Sequence, residues 1–343
     1  MSLESYIRAM PKVELHVHLE GSIRPATLLK LAERHHVALP ANDVPGLHRW
    51  YTFVDFPHFA EIYITIATCL KTADDIELIA REFLIGQAEQ NIRHSEVTYT
   101  ALTQFRRNGI SFRDQLDAIN RARRWAEREL GVTMLLVLDI PREVPTHDGM
   151  IVADWAIRAR NEGVAGFGLA GIETDNPPAK FREAFARARA AGLASVPHAG
   201  EIDGAASIWG ALNDLRAQRI GHGVRCLDDP NLVAYLRAHQ IPLEVCPTSN
   251  VCINVVPSFD QHPLPRLIAE GLYVTLNSDD PPMFNTTLTD EYLKVAENFN
   301  FGAAQLEQLA INAARASLLP DHRRAEMESE FKNGFARLRA EHL

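Results

Sequence analysis

Val13-Glu14-Leu15-His16-Val17-His18 is a short apolar, β-branched run that ends in two histidines at positions i and i+2. Read as a β-strand, it places both imidazoles on one face, because side chains alternate along a strand. Runs of the same kind recur down the chain, at Ser95–Thr100, Thr133–Asp139, Ala165–Leu169, Ala194–His198, Arg219–His222, Leu243–Cys246 and Tyr273–Asn277. Several are apolar nearly throughout, the pattern of parallel strands covered on both faces. Amphipathic segments separate them. Ala73–Gln90 carries Ile76, Ile79, Ala80, Phe83 and Leu84 at helical spacing. Phe112–Leu130, Val152–Asn161, Ala179–Ala191, Gly204–Ala217, Asn231–His239 and Leu264–Gly271 serve as the other connectors, and Gly131, Gly163, Gly192 and Gly271 stand where helices stop. Eight strands alternating with helices predict an α/β protein of the (β/α)8 TIM-barrel type, whose core usually takes about 250 residues. A doubly wound open sheet is the competing architecture, but no glycine-rich dinucleotide turn follows the first strand.

The chain has 343 residues, and the surplus over a bare barrel is assigned to a helical insertion around residues 40–70 and a helical C-terminal tail from Leu288. The expectation is one hydrolase barrel domain over residues 1–343. Apolar residues make up 46% and the formal charge is −9, so a packed globular protein is expected and a nucleic-acid polymer is not an expected partner. No apolar run approaches the ~20 residues that span a bilayer, and residues 1–12 lack the features of a signal peptide. The expected location is cytoplasmic, without membrane association. Met1-Ser2-Leu3 reads as a leader outside the fold. Cys69, Cys226, Cys246 and Cys252 are scattered without a C-x-x-C pair, which argues against a disulfide framework or a thiolate metal site.

The polar residues lie at the ends of the predicted strands. His16 and His18 close the first strand, His198 the fifth and His222 the sixth, and Asp279 and Asp280 follow the eighth. In a barrel these ends surround one mouth, where active sites of this architecture lie. Three imidazoles and a carboxylate suit Zn2+ best, with Co2+, Mn2+ or Fe2+ conceivable. Such a metal makes a bound water acidic, and the reaction also needs a proton acceptor and a donor nearby. One histidine, one aspartate and Glu201 remain for those roles. Glu201 also reads as a plain carboxylate at a helix start, Gly171 as a turn glycine and Asp280 as a turn cap.

With these residues in place, the sequence resembles the adenosine and adenine deaminase family of the amidohydrolase superfamily. The matching segments are Glu14–Gly21 (ELHVHLEG), Leu169–Glu173 (LAGIE), His198–Glu201 (HAGE), Arg219–Gly223 (RIGHG), Glu244–Asn250 (EVCPTSN) and Leu276–Phe284 (LNSDDPPMF), in family order over most of the chain. The resemblance implies one zinc ion per subunit, held by His16, His18, His198 and Asp279. It implies that His222 orients and activates the attacking water, and that Glu201 protonates the ring nitrogen beside the carbon under attack. Asp280 and the Gly171 N–H are expected to hold the purine, with His18 beside it. The implied reaction replaces the 6-amino group by oxygen and releases ammonia. The H-x-E and P-C-x-x-C pattern of the other zinc deaminase type is absent.

The substrate is read from two segments. Glu20 stands where the best-known adenosine deaminases have Asp, a position expected near the ribose 5′ end; adenine deaminases and deaminases of modified adenosines such as 6-aminodeoxyfutalosine also carry HLEG. Pro282–Thr286 with Leu288–Tyr292 is similar to the nucleoside branch. The expected partner is therefore a small purine nucleoside, adenosine or a 5′-modified adenosine, with free adenine as the alternative. A silent purine-binding member and a cyclic-amide hydrolase are the remaining readings. Trp50, Tyr51, Phe53, Phe56, Phe59 and Tyr63 either shield the pocket or simply pack the insertion.

Overall fold

Lys12–His18 forms β1, and every residue of it is buried, as a strand covered by helices on one side and core on the other must be. The computed structural model describes residues 1–343. The following strands are β2 (Ile92–Tyr99), β3 (Thr133–Pro141), β4 (Val164–Ala170), β5 (Ala194–Ala199), β6 (Ile220–His222), β7 (Leu243–Val245) and β8 (Val274–Leu276). They hydrogen-bond in sequence order, each parallel to the next. All eight predicted strands are present, and the architecture is a TIM-type barrel. Its last seam, between β8 and β1, is made by main chain just past β8. Asp279 N donates to His16 O at 3.1 Å and His18 N donates to Asp279 O at 2.9 Å. Asn277 Oδ1 accepts from Leu15 N and His16 N at 2.9 and 3.2 Å. The barrel therefore closes at the residues singled out as metal ligands.

The helical insertion is present as Val44–Trp50 and Phe56–Ala67, each started by an aspartate whose carboxylate caps the helix. The tail consists of Leu288–Phe299, Ala303–Ala316 and Asp321–His342. Ala303–Ala316 packs on β1 and β8, and Asp321–His342 packs on Ala303–Ala316 and on an N-terminal helix, Leu3–Ala9. Ser2 and Leu3, set outside the fold from the sequence, take part in it: the Ser2 side chain accepts from Ser5 N and caps that helix. Helices Pro25–His35 and Ala101–Asn108 also escaped the sequence reading; the second starts within two residues of the end of β2, leaving no loop to mark it. The four cysteines are free. No helix is long and apolar enough to cross a membrane.

Apolar helix faces against the strands supply most of the driving force, at roughly 1.5–3 kcal/mol per fully buried large aliphatic side chain. The polar residues buried among the strands are held in pairs. Arg219 is within 2.6 Å of both Glu96 and Glu244, and His94 lies 3.3 Å from Glu96. Pairing is what makes these charges tolerable away from water.

Candidate functional site

His16, His18, His198 and Asp279 each bring one donor atom into a cluster whose atoms all lie within 4.8 Å of one another, and all four residues are buried. Asp279 Oδ1 is 3.3 Å from Nε2 of both His16 and His18, and the Nε2 atoms of His18 and His198 are 3.2 Å apart. His16 Nε2 has no hydrogen-bond partner in this buried space. Nitrogen lone pairs and a carboxylate converging at such distances repel unless a cation is shared among them, so the donor set fits a metal ion. Electrostatics agree. Burial alone would lower the His16 and His18 imidazoles, yet Asp279 and Glu244 raise His16 to about 9, and Asp280 and Asp279 raise His18 to about 10. Asp279 is pushed up by burial but held well below its usual range by the adjoining His16 and His18 imidazoles. The site is thus short of positive charge.

Backbone geometry aims these side chains. His222 and Asp279 have φ of 61° and 66°, left-handed conformations that turn the chain sharply at the strand ends. Gly221 lets His16 approach: a Cβ there would stand 2.7 Å from His16 Cε1. Gly21 does the same for Asp280, since a Cβ would fall 1.5 Å from Asp280 Oδ1.

A cavity of about 770 Å3 opens on the cluster, and His18, His198, Glu201, His222, Asp279 and Asp280 line its inner end. Gly171, with φ of 101°, lines its wall. His222 Nε2 is 3.4 Å from Glu201 Oε1 and 3.9 Å from Asp279 Oδ2. Burial, then the charges of Asp279 and Glu173, push the Glu201 carboxyl well above its usual range. Burial and Asp279 do the same to Asp280, whose Oδ1 has no partner. In both, burial beside the cluster favours the protonated form. Burial lowers His222 to about 3. His222 and Asp279 also group with Cys246, but burial drives that thiol up, away from the thiolate a metal needs.

Glu20 lies elsewhere. It is buried but does not line the cavity; its carboxylate takes Thr100 N at 3.2 Å and the Tyr63 hydroxyl at 3.3 Å, and both of those residues do line it. The aromatic segment divides: Phe56, Phe59 and Tyr63 face the cavity, whereas Trp50, Tyr51 and Phe53 do not. Phe59 stacks on Phe284 with ring centres 5.4 Å apart.

Three supporting carboxylates were not singled out from the sequence. Glu244 accepts from His16 Nδ1 at 2.9 Å. Glu173 accepts from Gly200, Glu201, Ile202 and Asp203 N–H groups at 2.8–3.1 Å and from Ser207 Oγ at 2.8 Å, which sets the loop carrying Glu201. Asp139, near the end of β3, lines the cavity with Oδ1 unpaired. The available signal was a carboxylate placed within or next to an apolar strand.

A parallel barrel with a buried imidazole–carboxylate cluster at the C-terminal ends of its strands defines a hydrolase of the amidohydrolase superfamily. The family model for adenosine deaminase matches residues 11–333, and the chain belongs to that family as a hydrolytic deaminase. It is 42% identical over 330 residues to an aminodeoxyfutalosine deaminase of Streptomyces avermitilis, covering 96% of this chain and 92% of that one. The crystal structure of an adenine deaminase from Arthrobacter aurescens matches with TM-score 0.91 and 34% identity, over 95% of this chain and 99% of that one. A zinc-bound amidohydrolase from Burkholderia ambifaria matches with TM-score 0.93 and 28% identity, over 99% and 94% of the two chains.

Proposed function

We propose that the protein hydrolyses the 6-amino group of the adenine ring of a purine nucleoside, adenosine or a 5′-modified adenosine, in a zinc-dependent reaction. One observation carries this reading: two buried carboxyls, Glu201 and Asp280, whose protonated form burial favours, flank a metal-fitting cluster at the closed end of one cavity. His16, His18, His198 and Asp279 would hold the zinc. When bound, zinc lowers the pKa of water towards about 7 and so provides a nucleophile at neutral pH.

The chain's own groups supply the rest. A neutral Glu201 carries the proton that the ring nitrogen beside carbon 6 needs in order to make that carbon electrophilic. A neutral Asp280 has an O–H to donate to an acceptor nitrogen on the imidazole side of the purine. The Gly171 N–H is assigned to another ring nitrogen. His222, facing Glu201, acts on the oxygen that adds to carbon 6. Loss of ammonia then leaves the 6-oxo purine. Phe56, Phe59 and Tyr63 keep bulk water from the reacting end.

A nucleoside is favoured over free adenine because the cavity runs on from the cluster to Arg106 and Arg107, leaving room beyond a bicyclic base. Glu20 is assigned to the ribose side through its hold on Tyr63 and Thr100. The adenine reading stays in view because of the 34% identity to an adenine deaminase. Ammonia release decides between them, measured with zinc-loaded protein on adenosine, deoxyadenosine, methylthioadenosine, 6-aminodeoxyfutalosine and adenine. A kcat/KM for adenine far above every nucleoside would select the base. Purine binding without turnover would indicate a silent member, and turnover of lactams alone a cyclic-amide hydrolase.

A further inference from the structure

Behind His222 runs a chain of hydrogen bonds that begins at a main-chain donor, so the polarity of every link follows. Leu264 N lies 3.1 Å from His262 Nδ1. A backbone N–H only donates, so Nδ1 accepts and the proton of the neutral ring sits on Nε2. His262 Nε2 is 3.2 Å from the side-chain oxygen of Asn250 and donates to it. The amide nitrogen of Asn250 therefore faces the other way, 3.3 Å from His222 Nδ1, and donates there. His222 Nδ1 is an acceptor, which leaves its proton on Nε2. Reversing the amide would set two donors against each other at His262 and, with the His222 proton on Nε2, two acceptors at His222. All three side chains are buried, so water does not replace a lost link. Main-chain bonds from Asn250 N to Cys246 O at 3.0 Å and from Val256 N to Asn250 O at 2.9 Å hold the backbone of Asn250 in place.

We propose that Asn250 and His262 are positioning residues that hold His222 in its Nε2–H tautomer, so that His222 presents a proton donor to the reacting oxygen. The inference rests on the hydrolytic reading of the site and sharpens the part His222 plays in it. A ring with its proton on Nε2 stabilises negative charge growing on that oxygen. The oxygens that face His222 Nε2 are those of two carboxyl groups, Glu201 Oε1 at 3.4 Å and Asp279 Oδ2 at 3.9 Å.

Nitrogen-15 NMR of histidine-labelled zinc enzyme reads the tautomer without turnover, His222 being assigned by its loss in His222→Gln. The wild type is expected to show His222 protonated on Nε2. Asn250→Asp puts an acceptor opposite Nδ1 and should move the proton there, lowering kcat at least tenfold with KM within threefold and zinc content unchanged. His262→Gln can still donate to Asn250 and should keep the Nε2–H form and most of kcat; His262→Phe should lose both. Nδ1 protonation in the wild type would overturn the proposal, as would a switched tautomer in Asn250→Asp with kcat intact. If Asn250→Asp does not fold, the wild-type spectrum and the two His262 variants decide. Failure of the deaminase reading would show separately, as absent wild-type turnover with the nitrogen signals in place.

Discussion

Glu244 Oε2 accepts the Nδ1 proton of His16 at 2.9 Å, while its other oxygen takes Arg219 Nε at 2.6 Å. The first bond leaves the His16 Nε2 lone pair aimed into the cluster, and the second stops the carboxylate from rotating away. Residues behind a metal ligand usually tune affinity 10–100-fold. Glu244→Gln sets an amide against either Arg219 or His16, so zinc affinity should fall by about that factor. Competition with a chromophoric chelator measures it, and wild-type affinity would contradict the role.

Glu173 gathers four main-chain N–H groups of the loop that carries Glu201. Glu173→Ala leaves those donors without their partner, at about 1–3 kcal/mol for a buried group, so the melting temperature should drop. Glu173→Gln keeps the shape but loses the charge and should mainly lower kcat, about tenfold or more, through misplacement of Glu201. Thermal melts alongside kinetics separate the two; equal melting with equal kcat in both variants would refute the loop-setting role.

Glu201→Gln removes the proposed proton donor and leaves all four proposed ligands. The kcat should fall by roughly 10²–10⁴ while zinc stoichiometry stays at the wild-type level. A near-normal rate would remove Glu201 from the mechanism.

Zinc that binds the folded state stabilises it by mass action. Chelation should therefore lower the melting temperature of the wild type, and added zinc should restore it. Asp279→Ala should hold less zinc and lose most of that response. An identical zinc response in Asp279→Ala would exclude it as a ligand.

Gly21→Ala tests the close approach to Asp280, because the added methyl overlaps Oδ1 in its present place. Displaced by about 1 Å, Asp280 should hold the purine poorly, with kcat/KM down on the order of 10²-fold and zinc content unchanged. Wild-type kinetics would show that the contact gives way freely.

The barrel was legible in the sequence because each strand is a short apolar run that ends at a polar residue. That local pattern marks both the element and its C-terminal end, so His16, His18, His198, His222 and Asp279 could be placed at one mouth. Leu3–Ala9 and Ala101–Asn108 were not legible. The first starts at the last residue of the stretch read as a leader, and the second begins almost directly after a strand.

Sequence alone determined the parallel barrel, the family and the residues that meet at its mouth, since period and strand-end position are properties of local chain. Tertiary structure decided the rest. Only the folded chain brings Glu244 to His16, Glu173 to the Glu201 loop and Asn250 to His222, across 228, 28 and 28 residues of sequence. It also placed Glu20 behind the cavity wall, tied to Tyr63. The physical reason is the same in each case: a hydrogen-bond partner or a raised carboxyl pKa depends on what is buried beside the group, and no sequence spacing encodes that neighbour.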